Sequence, residues 1–347
     1  MPNLRDLIIG YAGEEVCDFI KRNNNDSFDD SLVLHTNNIF NINKEIEYKH
    51  QSIINLERIN DIKRLNKFFI SVNSKLPIGG LYIGCVETSR MRKKRILEKF
   101  PLVISYIYYF FDFILKRVFP KFWLTKKIYF LITNGRNRIL SKAEAYGRLY
   151  SCGFKIVDEK QTASKLYFVF QKIKDPLIVE NPSYGPLFKM RRIGKNGNDV
   201  FFYKLRTMYA YSEFLQEYVY ERNKLTAGGK FRGDFRITTL GKFLRKFWID
   251  ELPMLYNLLR GDLKIVGVRP ISKHYFSLYD KELRDLRIKH KPGLIPPFYV
   301  DLPSTLEEIM ASEKKYLWAY EKSPFLTDLN YFIKAFYNIL FKKSRSS

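Results

Sequence analysis

The chain has little from which to build a soft-metal or disulfide framework: 4 His and 3 Cys among 347 residues. Cys17, Cys85 and Cys152 are odd in number, far apart and form no Cys-x-x-Cys pair, so neither a disulfide scaffold nor a zinc site is expected, and a reducing compartment fits. No window reaches the roughly 20 apolar residues of a membrane-spanning helix. The N-terminal MPNLRDLIIGYAGEE has a short apolar stretch and no small-residue cleavage site, so it is not expected to act as a secretory signal. Internal repeats and low-complexity segments are absent. Acidic residues are also scarce, 36 Asp and Glu against 60 Lys and Arg, which leaves +24.

That charge is concentrated. Residues 1–100 hold 16 basic and 13 acidic side chains, and residues 101–347 hold 44 and 23. A polyanionic partner is implied: nucleic acid, an anionic membrane surface or a phosphorylated substrate. With 46% hydrophobic and 16% aromatic residues the chain is a folded protein, long enough for two domains.

The first hundred residues alternate short apolar runs and polar turns, an α/β rhythm: a strand at 31–35, a helix through 59–75, then PIGGLYIGCV. Residues 141–173 predict a helix, a glycine-punctuated turn and two strands. Together these parts resemble the later half of a class I methyltransferase-type sheet. The only candidate for its cofactor turn, IIGYAGEE, lacks G-x-G, so residues 1–175 are expected to form a non-catalytic α/β module without a cofactor-binding glycine turn. The proline-rich DPLIVENPSYGP (175–186) marks a boundary, and the second domain is expected to span 184–345.

Two segments suit a membrane interface. The apolar run Pro101 to Leu115 (PLVISYIYYFFDFIL) contains Asp112 and is flanked by Lys116, Arg117, Lys121, Lys126 and Lys127, so 101–123 fits the headgroup layer or equally a buried core helix with a solvated basic end. From Asp328 the tail has Leu329, Phe332, Ile333, Phe336, Ile339 and Leu340 at helical spacing before Lys342, Lys343 and Arg345. That pattern suits an interfacial anchor or a final helix packed on the core.

The chemistry-bearing residues lie in GPLFKMRRIGKNGNDVFFYKLRTM (185–208) and DFRITTLGKFLRKFWIDELPMLYNLLRGDLKIVGVRP (234–270). Acidic neighbours are common here: Glu14-Glu15, Asp29-Asp30, Asp158-Glu159 and Glu307-Glu308 read as solvated surface. Asp250-Glu251 differs, because Trp248 and Ile249 precede it and Pro253 suits a helix start, where peptide N–H groups favour negative charge. A plain N-cap is the alternative for Asp250. A diphosphate substrate repels a carboxylate nucleophile, so its attack needs cations and a divalent metal, and oxygen ligands without a His or Cys cluster suit Mg²⁺.

YGPLFKMRRIGKNG, FFYKLRTM, DFRITTLGKFLRK, IDELPMLYNLLRGDLKIVGVRP and KPG (291–293) resemble, in order, the bacterial sugar transferase family, monotopic polyprenyl-phosphate phosphoglycosyl transferases. The resemblance implies a mixed α/β catalytic domain with membrane-interface helices at the cytoplasmic face of the bacterial inner membrane. It implies transfer of a sugar 1-phosphate from a UDP-sugar to polyprenyl (undecaprenyl) phosphate, with release of UMP, at the start of surface polysaccharide assembly. Asp250 would form a covalent phosphosugar-aspartyl intermediate, Glu251 would assist proton transfer, and both are candidate Mg²⁺ ligands. Lys204, Arg206, Arg236, Arg245 and Arg269 would clamp phosphates or nucleotide. Asp262 would bind metal or nucleotide, or form a turn; His274 and His290 are acid-base or phosphate contacts, or structural. The chain departs from the family pattern with Val268 in GVRP, with PGLIPP at 292–297, and with strand-like sequence where the family's re-entrant helix precedes the GP-F motif. Two other function classes fit the charge, a nucleic-acid-binding protein, for which no recognition motif is present, and an inactive membrane-associated scaffold.

Overall fold

The structure, a computed structural model, describes residues 4–24, 27–176, 184–223 and 233–341. The chain separates into two compact units, one comprising Met1–Asn181 and Tyr209–Tyr218, the other Pro182–Met208 and Val219–Ser347.

The first unit is built on a five-stranded sheet in the order β1-β2-β3-β5-β4: β1 Ser31–Leu34, β2 Ser52–Arg58, β3 Leu81–Val86, β4 Phe154–Gln161 and β5 Leu166–Lys172. β1, β2 and β3 are parallel, and β5 lies antiparallel to both β3 and β4. The runs SIIN in β2 and YIGCV in β3 are buried throughout, as strands covered by helices on both faces must be. On one face Ile54, Ile83 and Val169 pack against Ile8, Val16, Phe19 and Ile20 of the two N-terminal helices. A second cluster of rings includes Phe69, Tyr82, Phe154, Phe168, Phe170 and Tyr146, with several edge-to-face contacts. IIGYAGEE is not a strand-to-helix turn: it runs through the helices Leu4–Ala12 and Glu14–Asn23, which meet at Gly13.

The expected segment 101–123 forms the helix Leu102–Phe113 and a π-helical turn Ile114–Val118, followed by a helix Trp123–Thr133. The buried-core alternative does not hold, because the residues buried in Leu102–Phe113 are Ser105 and Asp112 while its aliphatic and most of its aromatic side chains are exposed.

The second unit begins with the antiparallel hairpin of β6 (Leu187–Ile193) and β7 (Asp199–Leu205). A short parallel pair, β8 (Lys264–Val266) and β9 (Gly293–Ile295), stands among helices. Val266, Val268, Leu283, Leu286, Tyr316, Leu317 and Tyr331 form its main core. The tail forms the helix Pro324–Phe341, which buries Thr327, Tyr331, Ala335 and Asn338 and leaves Phe325, Leu329, Ile333, Phe336 and Leu340 outward, so it packs on the core and presents an apolar face as well. Lys342, Lys343 and Arg345 lie outside the described residues. Among those described, no helix is long and apolar enough to cross a membrane.

Candidate active site

The end of β7 is fixed by the helix Thr239–Lys246. Thr238 caps that helix by accepting a hydrogen bond from the Gly241 N–H at 2.7 Å, and its own N–H donates to the Thr207 carbonyl at 2.9 Å. The contact is so close that a Cβ at Gly241 would stand 2.0 Å from the Thr207 oxygen; only glycine lets this helix lie on the strand end. In its last turn Arg245 donates from Nε to Thr207 Oγ1 at 2.9 Å.

Beyond this helix the chain bends sharply. Trp248 is held at φ 56°, an unusual conformation for a bulky side chain, and its buried indole N–H has no hydrogen-bond partner among the described residues. The 3₁₀ turn Ile249–Glu251 follows, then the helix Met254–Leu259, with Pro253 at its N-cap. Fully buried Asn257 rivets this helix to β7, donating to the Phe201 carbonyl at 2.8 Å and accepting from the Tyr203 N–H at 3.2 Å. The rivet sets Glu251 against Lys204, which form an ion pair. Asp250 is only 8% exposed. Burial and the neighbouring Glu251 charge raise its carboxyl above the ordinary aspartate value, and Lys204 and Arg245 partly oppose the rise.

These elements form one wall of a pocket lined by Met190, Arg192, Lys204, Glu251, Met254, Arg269, Pro270, Gly293, Leu294, Pro296, Phe298 and Tyr299. The opposite wall comes from β8, β9 and the loops after them. There a Cβ at Gly293 would lie 2.1 Å from the Gly267 nitrogen, so the two backbones touch where side chains would normally keep them apart. The Arg269 carbonyl accepts a hydrogen bond from Arg287 Nη2 at 2.5 Å, and Arg287 in turn forms a buried ion pair with Glu313.

Lys204, Glu251 and Arg269 are therefore brought together in the pocket, whereas Asp250, in the same turn as Glu251, and Arg245 do not line it. Arg206 donates to the Gly185 carbonyl at 3.0 Å and stacks over Tyr184 and Phe188. Arg236 is buried and makes a bidentate pair with Asp234 at 2.7–3.2 Å. Neither lines the pocket. Asp262 accepts from Asn257 Nδ2 at 3.1 Å and follows Gly261 at φ 78°, so its contacts are those of a turn. His274 is exposed on a short helix, and His290 packs against Tyr320 with Glu321 3.6 Å away; neither lines the pocket.

Arg192 was not singled out from the sequence. Alternation along β6 sends it to the pocket side with Met190, whereas Arg191 pairs with Asp199 on the hairpin surface. Parity within the Arg191-Arg192 doublet was the available signal. Neither Arg192 nor Arg269 makes a direct ion pair with a carboxylate among the described residues, although the Arg269 charge acts on Glu313, and burial together with the nearby Arg269 charge lowers the Arg192 guanidinium below its ordinary value. Two cations that repel each other across a pocket are prepared for an anion.

No group of three or more His, Cys, Asp and Glu among the described residues stands ready to hold a metal ion. Asp250 and Glu251 still suit a hard cation: the like charge that raises Asp250 would be relieved by a cation between them, and Mg²⁺ typically takes one or two carboxylates and completes its shell with water and substrate phosphate.

Comparison with known proteins agrees with the sequence motifs. Residues 170–342 match the model of the family described as bacterial sugar transferase. The chain is 39% identical over 112 residues to a galactosyl transferase, CpsE, of Streptococcus agalactiae, covering 32% of this chain and 25% of that protein. It is 33% identical over 123 residues to the UDP-N-acetylgalactosamine-undecaprenyl-phosphate N-acetylgalactosaminephosphotransferase of Aeromonas hydrophila, covering 34% and 26%. It is 39% identical over 111 residues to the exopolysaccharide production protein ExoY of Sinorhizobium fredii, covering 30% and 48%. The matched part thus spans between a quarter and a half of these relatives. This match identifies residues 170–342 as a member of the bacterial sugar transferase family.

Proposed function

We propose that the second unit moves a sugar 1-phosphate from a UDP-sugar to a polyprenyl phosphate such as undecaprenyl phosphate, releasing UMP, as the opening step of a surface polysaccharide. The observation that carries this reading is the buried Asp250 with Lys204 and Arg245 acting on its charge, next to Glu251, which lines a pocket together with Lys204, Arg192 and Arg269. The donor and acceptor named for the Aeromonas relative support it.

In the first half-reaction an Asp250 carboxylate oxygen attacks the sugar-side phosphorus. A bond forms between that oxygen and phosphorus, the bridging P–O bond breaks, and its electron pair leaves with UMP. Arg192, Arg269 and Lys204 neutralise the diphosphate oxygens as charge builds. In the second half-reaction an oxygen of the polyprenyl phosphate attacks the same phosphorus, and the bond to Asp250 breaks to regenerate the carboxylate. Asp250 and Glu251 would hold Mg²⁺, which when bound supplies further neutralisation of the phosphoryl oxygens. Burial keeps water from Asp250 and favours transfer over hydrolysis.

The acceptor lives in lipid, and the elements around the site are suited to meet it there. Leu240 and Phe243 of one helix with Phe247 at its C-cap, and Leu255 and Leu259 of the next helix with Leu252 just before it, are exposed and apolar. We place the unit at the cytoplasmic face of the inner membrane, where nucleotide sugars and polyprenyl phosphate meet; nucleic acid has no part in this reading. The test is UMP release from a panel of UDP-sugars with Mg²⁺ and detergent-solubilised polyprenyl phosphate, comparing wild type with Asp250→Asn. Release by wild type alone supports the proposal and names the sugar; silence across the panel from folded protein rejects it.

A further inference from the structure

The helices at residues 102–133 of the first unit are built inside out. In Leu102–Phe113 the buried side chains are Ser105, which donates to the Phe100 carbonyl at 2.7 Å, and Asp112, which is 5% exposed and takes a bidentate pair from Arg92 at 2.7 and 2.8 Å. Lys116 stands 3.4 Å from the same carboxylate. Burial pushes the Asp112 carboxyl up, but Arg92 and Lys116 outweigh it and hold it below the ordinary value, so this one acid in the apolar run is ionised, neutralised and turned inward. A second clamp lies at Glu144, where Lys121 at 3.0 Å and Arg148 at 2.9 Å converge together with Arg117. The polar groups thus hold these helices to the neighbouring helices Ser89–Lys99 and Lys142–Ser151. The apolar groups, among them Val103, Ile107, Phe110, Ile128, Leu131 and Ile132, face outward, with Leu131 85% exposed.

A water-facing surface of this kind is costly at roughly 25 cal/mol per Å² of apolar area left wet, and it asks for a cover. The surrounding charge chooses the cover. Residues 101–136 contain six cations, Lys116, Arg117, Lys121, Lys126, Lys127 and Arg136, against the single acid Asp112, and exposed Lys126 and Lys127 make no ion pair among the described residues. Outward aromatics and aliphatics with lysines beside them match the headgroup and acyl boundary of an anionic bilayer. A second copy of this face would bring like charges together.

We propose that the first unit docks on anionic lipid bilayers through this helical surface, with Ile107 and Leu131 entering the acyl boundary and Lys126 and Lys127 lying among the headgroups. This attachment belongs to the first unit and does not depend on the activity assigned to the second.

The three native cysteines are buried, so a single exposed cysteine can be labelled in the full-length chain. Ile107→Cys and Leu131→Cys, each carrying an environment-sensitive NBD probe, are compared with Ser164→Cys on the β4–β5 turn, in vesicles of phosphatidylcholine with and without phosphatidylglycerol and with doxyl-quencher lipid. The expected result is a blue shift and doxyl quenching at 107 and 131 but not at 164, on phosphatidylglycerol vesicles, weakened by salt. Lys126→Gln with Lys127→Gln should weaken that partition by at least about tenfold with the thermal midpoint unchanged. Flotation with vesicles while probes 107 and 131 stay unshifted would overturn the proposal, since docking would then use another face. A blue shift before vesicles are added would also overturn it: one that grows with protein concentration means a second copy, and one that does not means cover by the chain itself.

Discussion

Lys204, at the end of β7, is ion-paired with Glu251, 47 residues further along the chain. The pair does two things at once. It offsets the charge that would otherwise push Asp250 still higher, and it places a cation at the rim of the pocket.

Lys204→Met should therefore lower UMP release by about two orders of magnitude, the scale of losing one charge-stabilising donor. It should also move the acid limb of the rate profile to higher pH. A pH series of initial rates on the folded variant checks both, and an unmoved limb would detach Lys204 from Asp250.

The sign of the pH dependence follows from the raised Asp250 carboxyl. Attack needs the ionised form, so activity should climb with pH through a value above the ordinary aspartate pKa of about 3.9. Arg245→Gln removes a charge that opposes the rise and should shift the limb upward, whereas Glu251→Gln removes a charge that causes it and should shift the residual activity downward. Shifts of the same sign in the two variants would contradict this electrostatic account.

Arg192 and Arg269 make no direct ion pair among the described residues, so Arg192→Ala and Arg269→Ala should leave the melting temperature nearly unchanged. Each should cut kcat/KM for the UDP-sugar by roughly 10–100-fold, the worth of a charged hydrogen bond of about 1.5–3 kcal/mol. Steady-state kinetics beside thermal melts separate this from a folding defect.

Gly293→Ala tests the pocket wall. The added methyl would meet the Gly267 backbone at 2.1 Å, with no flexible side chain to give way. A loss of about 1–3 kcal/mol is expected, seen as a melting temperature lower by several degrees.

Glu313→Ala would leave the Arg287 guanidinium buried without its counter-charge. Breaking a buried pair from one side costs about 3–5 kcal/mol, and here Arg287 also holds the Arg269 carbonyl. Stability and donor affinity should fall together, and Glu313→Gln should restore part of each.

Much of this was written along the chain. The apolar run at 31–35 announced β1, the glycine after the helix at 142–151 announced the β4–β5 hairpin, and Trp248-Ile249-Asp250-Glu251-Leu252-Pro253 announced a carboxylate pair before a helix, whereas β2 was not singled out. Local sequence can determine these because turn chemistry, capping and the burial of strands act over a few residues. The five ordered motifs likewise marked the family.

Other features were decided only when distant segments met. Whether residues 101–115 formed a core helix or an exposed one depended on Arg92, 20 residues before Asp112, turning that carboxylate inward. Which of Arg191 and Arg192 entered the pocket depended on the hairpin's pleat, and Arg206 turned to the Gly185 carbonyl 21 residues earlier, a partner that motif order alone did not reveal. The segment Tyr209–Tyr218 sits between two motifs of the second unit yet packs into the first, where Asn66 donates to the Tyr211 hydroxyl at 2.6 Å and Tyr146 meets Tyr218 edge on. Composition fixed what kinds of partner this protein could face, but the direction of each charge was set by long-range packing, because a side chain's solvent and counter-ion come from segments its own sequence neighbourhood does not contain.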